Sequence, residues 1–282
     1  MIRFWQKIPA LIRGPILGIL VLLLGVQPLF ILISANLEVM SSVPWSVIPG
    51  ALYVWLFWSY LNGRGPPRSS SDARRELLRA NDLSPDSRTL VVFASLSLGV
   101  LIASFTVIAY SAREVTTEEL GAVSALLESS PFTAVGLIFL VALFSGVVEE
   151  AAFRGYMQVS LEQAYHPVVA IAIVAMAFAL VHPQPLAFLA VFMVGACGWS
   201  ILAYLCGSIK PLIIVHAAVD FFFLLWMYFV PQALENLLAL NILATGLNGT
   251  VISWIIIWLL SAVCFVTATL LLMKKRKTQV RH

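Results

Sequence analysis

Charged side chains are what this sequence most lacks. They make up 11% of its 282 residues, while apolar residues make up 61%. A soluble domain carries roughly 25% charged residues, so an ordinary water-soluble globule is excluded. Alternation of apolar and polar residues is also missing. The apolar runs are continuous, which excludes a membrane β-barrel and leaves helices, since backbone groups in lipid must be satisfied internally. Cysteine is scarce. Cys197, Cys206 and Cys264 all fall inside apolar runs, with no loop partner and no metal-type spacing, and read as small packing residues. No internal repeat occurs, and no low-complexity tract beyond "PPRSSS" at 66–71. The net charge of +3 says little about partners, and no nucleic acid is expected.

What is present is a series of runs long enough to cross the ~30 Å hydrocarbon layer. The sequence predicts an all-α, polytopic membrane bundle of about eight spans, at 15–36, 43–62, 89–110, 131–153, 167–182, 186–207, 211–231 and 250–273. "HPQP" (182–185) interrupts the fifth and sixth with two prolines, Pro183 and Pro185, so either can be broken or short of a full crossing. The first run is too long for a signal peptide, and "LISA" (32–35) lacks small residues at both cleavage positions, so it is expected to stay as a mature helix.

Basic residues are confined to alternate connections. Arg3, Lys7 and Arg13 precede the first run, and Arg64, Arg68, Arg74, Arg75, Arg79 and Arg88 lie between the second and third. Lys210 lies between the sixth and seventh, and Lys274, Lys275, Arg276, Lys277 and Arg281 form the tail. The other connections hold Arg113 as their one cation, beside Glu38, Glu114, Glu118, Glu119, Glu128 and Glu235. The positive-inside rule then puts both termini in the cytoplasm, a parity that eight spans satisfy. The basic loop and tail could attract anionic lipid, but ordinary topogenic charge is the better account of them. The chain divides into 1–130 (about three spans and a cytoplasmic loop, 63–88), a core at 131–225, and 226–282, a last span with a basic tail.

Few ionisable groups remain at membrane depth: Glu149, Glu150, Arg154, His182, His216 and Asp220. Such groups are costly in a bilayer and mark function by default. Glu150 and Arg154 are i and i+4 with the acid first, the favourable order for a helical ion pair. Glu149 is turned by about 100° from Glu150 and is left as a free, tunable carboxylate suited to a general base. The competing reading is a pair of packing salt bridges. "FALVH" (178–182) sets Phe178 one turn before His182, and "HAAVD" (216–220) sets His216 and Asp220 one turn apart. Glu149 and His182 are each about 16 residues from the turn at "AYHP" (164–167), so an antiparallel hairpin brings them to similar depth. Straight helices do not close the rest of this geometry. A break at Pro183 and Pro185, with some tilt, is expected to make up the difference. From these residues either a zinc site or a general-base site can be built.

The three motifs in order, "EEAAFR" (149–154), "FALVH" (178–182) and "HAAVD" (216–220), resemble the CAAX-protease and bacteriocin-processing family of intramembrane endopeptidases. "GACGWSILAYLCGSIKP" (195–211) is similar to the stretch leading into the family's third motif. The resemblance covers about 131–225. It implies that Glu149 activates the attacking water, helped by His182, and that His216 and Asp220 polarise the scissile carbonyl or stabilise the oxyanion. It implies that Glu150 and Arg154 hold the helix and position Glu149, with Phe178 in support. The family has been described both as zinc-dependent and as glutamate-dependent without a metal. Glu149, His182, His216 and Asp220 could ligate zinc or act as base, orienter and oxyanion donors. Many relatives have asparagine where Asp220 stands. An ionised aspartate donates no hydrogen bond but ligates metal better, which tilts the balance slightly toward metal.

The expected substrate is a membrane-associated protein or peptide, in the manner of CAAX-type maturation or a bacterial equivalent. The short loops suit a multi-pass protein of a bacterial plasma membrane. Two other readings compete: a non-catalytic binding or immunity protein of the same fold, and a proton-coupled transporter. The transporter reading is disfavoured because the charged sites cluster at 149–220, with none in the first three spans and no repeat. Other prominent residues take bland readings. Trp45, Trp55 and Trp58 belong to interfacial anchoring or packing, and "FFFLLWMYF" (221–229) faces lipid. His166 and His282 are solvated, and Gly195 and Gly198 permit close helix packing.

Overall fold

The computed structural model describes residues 7–111, 129–182, 186–229 and 246–279. Arg3, Arg113, Glu114, Glu118, Glu119, Glu128, Pro183, Pro185, Glu235, Arg281 and His282 lie outside the described residues. The proposed break at the two prolines therefore falls outside them as well.

The described chain is helical, with apolar helices where the runs predict them. They are α1 (Ala10–Val39), α2 (Val47–Leu61), α4 (Pro85–Ser111), α5 (Pro131–Glu162), α6 (Pro167–Val181), α7 (Leu186–Cys206), α8 (Lys210–Phe229) and α9 (Gly249–Gln279). A short α3 (Ser71–Leu78) folds within the 63–88 connection. Six of these helices are long and apolar enough to cross a membrane. The other two apolar helices, α2 and α6, have 15 residues each. At 1.5 Å per residue they rise about 22 Å, short of the ~30 Å layer.

Two of the helix starts have local causes. At α5 the Ser130 hydroxyl accepts from the Thr133 N–H at 3.2 Å, and Pro131 occupies the first helical position. At α6 Pro167 does the same, and His166 caps the helix by accepting from the Val168 N–H at 3.4 Å. His166 thus has a structural task that its loop position did not suggest.

Small residues set the packing. On α1, Gly14, Gly18 and Gly25 lie against Leu161, Met157 and Val148 of α5, a small-xxx-small approach of backbones that the sequence carries at "GPILG" (14–18). Gly195 and Gly198 of α7 meet Ile102 and Leu98 of α4, as expected. One cluster of buried apolar residues draws on Val21, Phe57, Leu98, Phe153, Phe178, Trp199, Leu212 and Leu272, so the first and last helices share a core with the central ones. Phe222 and Phe229 are exposed, as are Trp55 and much of α9.

The basic connections meet at one end of the bundle. Arg74 is buried there, 4.1 Å above the Tyr60 ring. It donates to the carbonyls of Tyr60 (2.6 Å), Arg64 (3.2 Å) and Gly65 (3.0 Å), which satisfies the chain reversal after α2. Arg79 pairs with Glu162. Residues 79–82 pair with the α7–α8 turn: Ile209 N–H donates to Arg79 O at 3.1 Å, Ser208 Oγ to Asn81 O at 2.6 Å, and Lys210 to Asp82 at 2.6 Å. Arg276 of α9 donates to Tyr204 O near the end of α7.

Candidate active site

The middle of α5, Ser145–Met157, is a π-helix, and every residue in it is buried. Its hydrogen bonds run i→i+5, a ladder that is rare and usually confined to one turn at a functional site. This wider coil crowds Glu149, Glu150 and Arg154 among α6, α7 and α8. It is the feature that straight-helix reasoning lacked.

Gly146 makes the approach of α8 possible. A Cβ there would lie 2.6 Å from the Ile213 carbonyl oxygen and 2.8 Å from Ala217 Cβ. The contact falls beside His216, which lies in the second turn of α8.

All six polar residues singled out in the sequence come together. Arg154 Nη1 is 3.2 Å from Glu150 Oε1, with both side chains fully buried. The Arg154 guanidinium also sits 4.5 Å over the Phe178 ring, a desolvated cation–π contact. His182 Nε2 is 3.9 Å from Glu149 Oε1, confirming the common depth of the hairpin. His216 Nε2 is 3.5 Å from Asp220 Oδ2.

Three contacts were not foreseen. The Glu150 carboxylate that serves Arg154 also accepts from His216 Nδ1 at 2.9 Å. Ser145 Oγ donates to Glu149 Oε1 at 3.4 Å, one turn away. Aromatic rings wall both imidazoles. Trp199 stacks on His216 with centroids 5.3 Å apart, and His182 lies 4.4 Å from Phe178 and 4.7 Å from Phe192. Of these residues, Phe178 and Trp199 had a sequence signal, the first one turn before His182 and the second inside the segment leading to the third motif.

The hydrogen bonds fix the imidazole orientations. His182 Nδ1 is 2.7 Å from the Phe178 carbonyl oxygen. A carbonyl only accepts, so Nδ1 carries the proton and Nε2 turns toward Glu149. His216 Nδ1–H likewise donates to Glu150, which turns Nε2 toward Asp220. Both rings therefore present Nε2 to the site.

Exposure rises from one side to the other. The Glu150 and Arg154 side chains are 0% exposed, Glu149 11%, His182 23% and Asp220 32%. Glu149 is thus the carboxylate of the adjacent pair that borders the open side, and Glu150 is sealed behind it. Among the described residues, no three histidine, cysteine, aspartate or glutamate side chains converge as a metal-ligand set. As arranged, the donors form two separate pairs, Glu149 with His182 and His216 with Asp220.

The class defined by fold and site is a polytopic helical bundle that gathers three carboxylates, two oriented imidazoles and one arginine at one partly open site. Residues 131–222 match the family model "Type II CAAX prenyl endopeptidase Rce1-like", which bears out the resemblance read from the three motifs. No curated protein and no solved structure matches the chain. The match covers α5 to most of α8 and contains every residue of the site. It supports a CAAX-type intramembrane protease.

Proposed function

We propose that the protein is an intramembrane endopeptidase that hydrolyses membrane-associated proteins or peptides through a water activated by Glu149. The observation that carries this reading is the pairing of Glu149 with His182 Nε2 on the open side of a site whose Glu150 and Arg154 are sealed behind it. A water beside this pair donates to both acceptors. Glu149 takes its proton as the oxygen attacks the scissile carbonyl. The tetrahedral oxyanion forms on the side of His216, whose ring is fixed by Glu150 and Trp199. An imidazolium there donates from Nε2 to the oxyanion. Collapse expels the amine, and Glu149 returns the proton to it, so one peptide bond and one water become a carboxylate and an amine.

Asp220 accepts only, when ionised. Its role in this scheme is to orient the His216 Nε2–H until substrate arrives and then to yield it to the oxyanion, not to bind the oxyanion itself. The termini are assigned to the cytoplasm, supported by the meeting of the 63–88 connection, Lys210 and Arg276 at one end of the bundle.

The test compares protein termini in membranes of cells expressing the wild type or Glu149→Gln. New termini confined to the wild type establish proteolysis and give the substrate and cleavage site. The same assay after chelation, with and without added zinc, tests metal dependence. Identical termini from two well-inserted proteins would overturn the reading in favour of binding.

A further inference from the structure

A cavity of about 240 Å³ lies away from the active site, between the starts of α4 and α8. Its walls repeat one pattern. On α4 Arg88 lies one turn before Val92, and on α8 Lys210 lies one turn before Ile214; all four line the cavity. Both helices begin at this end of the bundle. The cations therefore form a rim, and the apolar pair lies about 6 Å deeper, one turn of rise. Pro211 closes the apolar part, and Ile214 is 69% exposed on the bundle's outer face.

The rim carries two cations against one anion, Asp82. Lys210 bonds Asp82 at 2.6 Å. Their hydrogen bond, with a smaller contribution from the charge of Arg88, holds the Asp82 carboxyl below its ordinary range. Arg88 donates to Leu83 O at 3.3 Å through one guanidinium nitrogen, and a guanidinium has five N–H donors. The rim keeps one unit of positive charge, with donors fitted to a phosphate.

We infer that this cavity binds an anionic phospholipid, with the phosphate between Arg88 and Lys210 and the acyl chains along Val92 and Ile214. The basic rim asks for an anion, and the apolar floor asks for something that a soluble phosphate does not have. Because Lys210 and Pro211 begin the helix that carries His216, the lipid would hold the α7–α8 turn against residues 79–82.

The experiment uses the full-length protein in nanodiscs, with spin-labelled phosphatidylglycerol and spin-labelled phosphatidylcholine as probes of relative association. The wild type should favour phosphatidylglycerol, and Arg88→Gln should reduce that preference about fivefold, as expected for one cation near the membrane surface. Arg68→Gln, in the same basic connection but not lining the cavity, should leave it unchanged. Equal losses in the two variants would show diffuse surface charge and overturn the site. Competition by soluble glycerol phosphate as effective as by the lipid would overturn the assignment to a lipid. Hydrogen exchange at 207–212, slowed by phosphatidylglycerol in the wild type and not in Arg88→Gln, reads the clamp directly.

Discussion

Replacing Arg154 by methionine tests how the site is held. The guanidinium is wholly buried, 3.2 Å from Glu150 Oε1 and stacked over Phe178. Methionine keeps the length and apolar bulk but leaves the Glu150 charge with His216 as its one remaining partner. Removing one member of a buried pair costs about 3–5 kcal/mol. Glu150→Gln strands the arginine instead and costs a similar amount. In the double variant Arg154→Met/Glu150→Gln no charge is left unpaired, and the main loss is the charge-assisted bond from His216, about 2 kcal/mol. The two single costs therefore sum to roughly 6–10 kcal/mol, while the double should cost about 2. The assay is reversible unfolding in mixed detergent–SDS micelles, followed by tryptophan fluorescence. If the double variant equalled the sum of the singles to within about 0.5 kcal/mol, Arg154 and Glu150 would not be acting as a pair.

Other outcomes follow from the same geometry. Glu149→Gln and His182→Ala should each lower single-turnover cleavage of a true substrate by about 10²–10⁴-fold, with unfolding midpoints near that of the wild type. Gly146→Ala should cost about 1–3 kcal/mol and lower cleavage further than that loss explains, because the atoms it meets are Ile213 O and Ala217 Cβ, which cannot swing aside. Gly14→Ala, which meets mainly the flexible Leu161 side chain, should leave cleavage nearly unchanged in parallel assays. Asp82→Asn should speed hydrogen exchange at 207–210. Since the folded-state pKa of Asp82 is lowered, the wild-type advantage is present above about pH 4 and fades as pH falls through the lowered value.

The helices were legible because apolar runs and charged gaps report directly on the solvent. Their lengths were less so for α2, which runs over 47–61 against the predicted 43–62, whereas α6, at 167–181, is short of a full crossing as expected. The six polar site residues were readable because a charge at membrane depth has few innocent explanations. Their connections were readable only where they are local. Glu150 to Arg154 is a neighbouring pair, whereas Glu150 to His216 spans 66 positions and depends on how α8 meets α5. The π-helical coil has no composition of its own; it is favoured by packing on all sides, which a single sequence does not display. Arg74 read as one more topogenic charge, yet it ties down the carbonyls of a chain reversal.

The order in which the charged groups are linked has a consequence for biosynthesis. Glu150 and Arg154 lie on one segment and neutralise each other as soon as it coils, so α5 can enter the bilayer with its heaviest electrostatic burden already cancelled. Glu149 and the second valence of Glu150 must wait for His182 and His216, which leave the ribosome later. The nascent chain therefore has an interval in which α5 is inserted but its reactive carboxylate is unmatched. His182, at the end of α6, closes that interval for Glu149, and α8 then brings His216 to Glu150 and completes the cluster.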